Sequence, residues 1–191
     1  MDSARSLITD ALIMLLSVST FEKITVQKIV KKAGVSRSTF YLHFNDKFDL
    51  LNQVTEHIVE ELGDFFRKTS WERVEPSTRV WLFKHNKSLC EHVYHYRHFY
   101  RYRLKDIEFT SHLTNTLTNW LNLYFNDEQA TFAAWGTIGL IRNWIEKSDP
   151  VDSLETAAFK LTNIAFYLIS NVDSKIYRQS SDACLSPSGL S

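Results

Sequence analysis

Glycine, proline and cysteine are scarce in this chain, and each scarcity excludes something. Five Gly and three Pro in 191 residues are too few for the many tight turns of a β-sandwich or barrel, so an all-α fold is predicted. Two cysteines, Cys90 and Cys184, stand far apart and make no disulfide framework. Charge of neither sign is in excess, with 22 Lys+Arg against 22 Asp+Glu. Any affinity for nucleic acid must therefore come from where the charge lies. The longest apolar run, Ala130 to Ile141, contains Thr and Gly and stops at Arg142, well short of the ~20 residues a membrane span needs. Asp2, Arg5 and Asp10 interrupt any signal-peptide pattern at the start, so a soluble, cytoplasmic protein without a membrane partner is expected. Enzyme signatures are missing too: no nucleophile elbow, Gly-rich phosphate loop, zincin motif or paired Cys ligands. No catalytic residue, cofactor or metal is expected.

What the chain does hold is apolar and aromatic side chains, 44% and 14% of its residues, enough for a packed core. Its positive charge is local. Lys23, Lys28, Lys31, Lys32, Arg37 and Lys47 face Asp46 alone between residues 23 and 47, an excess of five (six minus one). Within that stretch Val26, Ile29, Val30 and Ala33 recur at the spacing of a short amphipathic helix. Thr25 is placed to cap it, and Gly34 follows where a left-handed residue ends a helix most easily. Ser36 then caps a second short helix. A helix, a tight Gly-containing turn and another helix form a helix-turn-helix, whose second helix can enter the DNA major groove.

Phe40 and Phe44 share one face of that second helix and are expected to pack inward. Arg37, Ser38, Tyr41 and His43 project elsewhere, with Thr39 between the two faces. Phosphate contacts are assigned to Thr25, Ser36, Tyr41 and Lys47, the last at the N-terminus of the following helix. Arg37, Ser38 and His43 are the base-edge readers, Arg37 foremost because its fork matches a guanine edge. Leu42 offers an apolar surface to a thymine methyl.

The run ITVQKIVKKAGVSRSTFYLHFNDKFDLL, Ile24 to Leu51, closely resembles the DNA-binding domain of TetR-family transcriptional regulators. Thr25, Ala33, Gly34, Val35, Ser36, Thr39, Phe40, Tyr41, His43, Phe44, Lys47 and Leu50 fall on that family's pattern. The close resemblance covers about the first quarter of the chain; beyond it only the helical layout agrees. It implies a three-helix DNA-binding domain over 1–47 and a helical regulatory and dimerisation domain over 48–172; the polar, Ser-rich stretch over 173–191 reads as a loose tail. A homodimer on a near-palindromic double-stranded operator is implied as well, released or engaged by an effector.

The remaining segments fit that layout. Ser3 to Ser17 reads as the first helix, with Leu7, Ile8, Ala11, Leu12, Leu15 and Leu16 as its stripe and Phe21 and Ile24 closing the small core. A long helix runs over Phe48–Lys68 behind Asp46 as N-cap. Further helices are predicted over Ser77–His95, Phe109–Phe125, Glu128–Lys147 and from Asp152 or Ser153 to Ser170.

The segment HVYHYRHFYRYRLKD admits several readings. His92, His95 and His98 come to one side of a continuous helix, as a metal site would need. Arg97, Arg101 and Arg103 with the tyrosines suit an anion pocket or extra phosphate contacts. A linking helix with aromatics inward and cations outward suits it equally. In the family a cavity lies among the middle helices; Trp81, Phe83, Tyr94, Phe99, Phe109 and Trp120 would suit a small apolar or aromatic effector there, and an ordinary core as well. Regulation by a protein partner is the alternative. The last two helices are apolar around most of their circumference, so they are expected to bury a second copy. Ala133, Gly136, Gly139, Leu140 and Trp144 on one helix, with Leu154, Ala158, Leu161, Ala165 and Leu168 on the other, would line that interface.

Overall fold

The computed structural model of the protein describes residues 3–68, 79–122, 125–147 and 153–167. Those residues are helical, with no strand among them. The elements are α1 (Ser3–Leu16), a 3-10 turn (Phe21–Lys23), α2 (Val26–Ala33), α3 (Arg37–His43), α4 (Lys47–Lys68), α5 (Arg79–His95), α6 (Arg97–Arg103), α7 (Ile107–Leu121) and α8 (Asp127–Glu146). A ninth, α9, covers 154–167. The expected all-α fold, with a helix-turn-helix at its N-terminal end, is what forms.

Side-chain caps decide where most of these helices begin. Thr25 accepts the Lys28 N–H at 3.3 Å and Ser36 that of Thr39 at 3.0 Å. Asp46 takes both Phe48 and Asp49 N–H groups, at 2.7 and 2.8 Å. Asn126 opens α8 by accepting from Gln129, and Ser153 opens α9 by accepting from Thr156. Each such cap contributes about 1 kcal/mol by satisfying a backbone donor that has no partner inside its helix. Gly34 ends α2 in the left-handed region at φ 68°, where any Cβ would be strained.

The chain divides into two compact units, one within Met1–Thr69 and Glu91–Val151, the other within Ser70–Cys90 and Asp152–Ser191. In the first, Ile8, Leu12 and Leu16 of α1 share a core with Phe21, Ile24, Ile29, Phe40, Phe44, Leu50 and Val54, all buried. Leu7, expected in that stripe, is exposed. Further along this unit α6 packs on α1 and α8, and α7 on α4 and α8. Phe99, Tyr100, Leu104, Phe109, Leu113 and Leu117 fill the space. In the second unit α9 meets the first turns of α5: Asn86 donates to Thr162 at 3.2 Å, and Arg79 donates to Asn163 while covering the Phe159 and Phe166 rings.

Several expectations need correction. Trp144 is buried within its own unit and stacked on Tyr94, while Ala158 and Leu161 are buried in the other unit; the chain itself covers them, so they are not free to form an interface. Ala133, Leu140, Leu154 and Ala165 are half-buried, Gly136 is exposed, and Leu168 lies outside the described residues. The tail over 173–191 also lies outside them. Helix α7 ends at Leu121, earlier than expected.

The His-rich segment is not one helix, because the chain breaks at Tyr96 between α5 and α6. His92 faces back into the unit, its Nε2 3.0 Å from the Tyr100 hydroxyl, while the Tyr96 hydroxyl donates to Glu61 of α4 at 2.8 Å. Burial holds His92 down at about 4, opposed by the Glu61 carboxylate and reinforced by His95. Burial likewise holds His85, in the other unit, at about 4. A histidine held neutral by folding stabilises the fold fully above its unfolded value near 6.5, and that contribution is lost as pH falls toward 4. Urea midpoints are therefore expected to drop between pH 7 and pH 4.5, with His92 contributing at most about 3 kcal/mol. His92→Gln, which keeps a hydrogen-bonding group beside Tyr100, should make that drop shallower; an unchanged slope would contradict the assignment.

Candidate nucleic-acid interface

Helix α3 has only seven residues, too few to persist alone in water. What holds it is Phe40 and Phe44, fully buried with ring centroids 5.7 Å apart. Anchoring those two rings turns Arg37, Ser38, Tyr41 and Leu42 outward; Leu42 is 81% exposed. Thr39 and His43 are half-buried at the margins. Placed beside these polar side chains, Leu42 suits a groove lined by bases and methyl groups.

The hydroxyl side chains at the start of α3 form a small chain. The Ser36 Oγ, which caps the helix, also lies 2.7 Å from Ser38 Oγ and 2.8 Å from Thr39 Oγ1. Arg37 turns toward the next turn of the helix and donates from Nη2 to the Tyr41 hydroxyl at 3.1 Å, with its guanidinium over the Tyr41 ring. The i, i+4 spacing of an Arg and a Tyr was the signal for this pair.

Lys47 departs from its sequence expectation. Its ammonium donates to the backbone carbonyls of Phe21 at 3.0 Å, Glu22 at 3.3 Å and Ile24 at 2.9 Å. It also lies 4.7 Å from the Phe21 ring centroid. An ammonium has three protons, and here all three have carbonyl partners. The side chain clamps the turn before α2 rather than presenting a free charge to phosphate. Arg5 is also engaged, with Gln53 and over the Phe44 ring, and the Lys28 ammonium takes the Lys23 carbonyl. Lys23, Lys31 and Lys32 remain as exposed cations of this end.

The arginines of the aromatic segment likewise have internal work. Arg97 donates to the Tyr94 carbonyl and covers that ring. Arg101 donates to the carbonyls of Ile145 and Lys147 at the end of α8, where helix carbonyls lack intrahelical partners. Arg103 pairs with Asp106 and covers Phe109. An open anion pocket is not what these three build. Among the described residues no group of three or more His, Cys, Asp or Glu is placed to hold a metal ion. Of the aromatics expected at an effector site, Phe99 and Phe109 are buried against each other with centroids 6.1 Å apart. Tyr94 is exposed and Trp120 half-buried, while Trp81 stacks on His85 in the second unit.

Fold and site together define a helix-turn-helix DNA-binding protein. Residues 8–54 match the family described as bacterial regulatory proteins, tetR family. A curated relative, the uncharacterized HTH-type transcriptional regulator YxbF of Bacillus subtilis (strain 168), is 39% identical over 62 residues. That match covers 32% of this chain and 16% of the relative. Among solved structures, the fatty acid degradation regulator FadR from Bacillus halodurans superposes with a TM-score of 0.65 at 22% identity, covering 85% of this chain and 94% of that one. The TetR family repressor AlkX from Dietzia sp. strain DQ12-45-1b, implicated in biodegradation of n-alkanes, gives a TM-score of 0.55 at 20% identity over 87% of this chain and 95% of the other. Over residues 8–54 this chain is thus similar to the N-terminal, DNA-binding domain of the TetR family of transcriptional regulators, and it shares the helical fold of the solved family structures. No helix among the described residues is long and apolar enough to cross a membrane.

The clamp generates a prediction. Lys47→Met strands part-buried carbonyls and should destabilise the protein by about 1–3 kcal/mol. DNA affinity should fall while the slope of log affinity against log salt stays unchanged. A slope reduced by about one with stability intact would show instead that the ammonium meets phosphate.

Proposed function

We propose that this chain is a homodimeric repressor acting in the cytoplasm, with domains divided near residue 47, that binds a near-palindromic operator and is released by a small apolar or aromatic effector. The observation that carries the DNA half of this reading is the outward row Arg37, Ser38, Tyr41 and Leu42 on a helix pinned from behind by Phe40 and Phe44. Arg37 reads a guanine edge, Ser38 and His43 flank it, and Leu42 meets a thymine methyl. Backbone positioning falls to the hydroxyls of Thr25 and Ser36 and to Lys23, Lys31 and Lys32. Half-sites then lie about one helical turn apart, or a multiple of it.

The dimer is supported by apolar faces that the chain itself leaves open. On α8, Phe132 and Trp135 are 62% and 52% exposed, on the stripe shared with Gly136 and Gly139. A Cβ added at either glycine would meet nothing within 4 Å. Helix α9 by itself exposes Phe159, Ile164 and Tyr167. Aromatic side chains presented in rows at helical spacing mark contact surfaces, and a second copy is the occupant that a two-fold operator requires. The proposed interface thus uses the side of α8 that faces away from Trp144. Within the second unit, half-buried Trp81 and Phe83 are the aromatics proposed for the effector; similarity to the TetR family repressor AlkX supports the sign of regulation.

Binding sites selected from random-sequence DNA by the full chain should converge on inverted repeats. Arg37→Ala should erase the preference at one base pair per half-site, a loss of about 1–3 kcal/mol there. Failure to enrich any repeat would overturn the operator reading. Trp135→Glu, on an exposed position, should give a folded monomer by sedimentation with much weaker operator binding; a wild-type chain that is monomeric at micromolar concentration would contradict the dimer.

A further inference from the structure

Recognition by Arg37 depends on how its side chain is held before DNA arrives. A free Arg side chain carries about 2 kcal/mol of rotamer freedom, which must be given up when its fork settles on a base. In this protein that freedom is already restricted. Arg37 is the first residue of α3, and Tyr41 stands one turn further on the same outward face. The Arg37 Nη2 donates to the Tyr41 hydroxyl at 3.1 Å, and its guanidinium carbon lies 5.5 Å from the ring centroid. Tyr41 is itself anchored: its ring meets the fully buried Phe40 ring at 5.4 Å and 87°, edge to face.

We propose that Tyr41 is the positioning residue for Arg37, fixing the guanidinium along α3 so that one base pair per half-site is discriminated through a side chain that does not touch it. This rests on Arg37 being the base reader proposed above. Donor arithmetic permits it. A guanidinium has five N–H groups; one goes to Tyr41, and the four left suffice for a two-pronged contact with a guanine edge. The hydroxyl accepts from Arg37, so the bond and the ring beside the guanidinium together restrict the orientation of the fork. Tyr41 was expected from the sequence to serve as a phosphate contact; that role would act on every DNA sequence alike, whereas positioning acts at one base pair. The two therefore separate by experiment.

Binding sites are selected from random-sequence DNA with the full chain as wild type, Arg37→Ala and Tyr41→Phe. Affinities for the selected site and its single-base variants are then titrated at several salt concentrations. Tyr41 is 47% exposed, and melting curves establish that the variants fold. Arg37→Ala is expected to erase preference at one base pair per half-site. Tyr41→Phe, which keeps the ring and removes the hydroxyl, is expected to cut preference at that same pair by about five- to tenfold. The other pairs and the salt slope should stay as they are. If Arg37→Ala erases a pair and Tyr41→Phe holds its preference within about twofold, the positioning role is overturned and base reading by Arg37 stands, whatever happens to total affinity. If Arg37→Ala erases no pair, the base-reading assignment fails and the positioning role with it.

Discussion

One ammonium group ties the reading head together. Lys47 stands at the first residue of α4 and closes on the carbonyls of Phe21, Glu22 and Ile24. Those carbonyls belong to the turn that decides where α2 begins, one residue before the Thr25 cap. The clamp therefore joins the start of the long helix to the start of the helix-turn-helix. The rings of Phe21 and Phe48 lie close to the cation, in an arrangement that favours charge over aromatic faces. With both ends of the α2–α3 pair so held, and Gly34 turning the chain between them, the outward row of α3 is set by the core and not by the ligand.

The same unit carries this fixity further along the chain. Tyr102 of α6 lies against Phe21 with centroids 5.4 Å apart, and Arg101 of the same short helix caps the carbonyls at the end of α8. A segment rich in His, Tyr and Arg thus serves to join helices. Its cations take carbonyls and ring faces, and its phenols take His92 and Glu61. Such contacts are directional, so they specify how α6 sits between α1 and α8 more sharply than apolar packing alone would.

How much of this the sequence disclosed depends on the range of each interaction. Thr25, Ser36 and Asp46 were legible as caps because a cap and its partner lie two or three residues apart. Gly34 was legible because only one backbone conformation ends a helix that way without cost. The outward row of α3 followed from Phe40 and Phe44 being four apart. Lys47 and Arg101 were not legible: their partners are backbone carbonyls distant in the chain, and a carbonyl leaves no mark on the residue type. The break at Tyr96 was hidden for a related reason, since no Pro or Gly announces it. On α8 and α9 the difficulty was different. A helix apolar on several sides does not say which side its own chain covers, so Trp144, Ala158 and Leu161 were expected outside while Phe132, Trp135 and Phe159 carry the open face.

In the proposed function, two copies of a preset reading head bind one operator. The most direct test is the mass of the complex formed by the full chain on a DNA fragment enriched from genomic DNA, titrated over a range of salt with specific and scrambled competitor. Two chains per inverted repeat, resistant to scrambled competitor and weakening log-linearly with salt, is the predicted result. One chain per fragment, displaced equally by scrambled DNA, would contradict it.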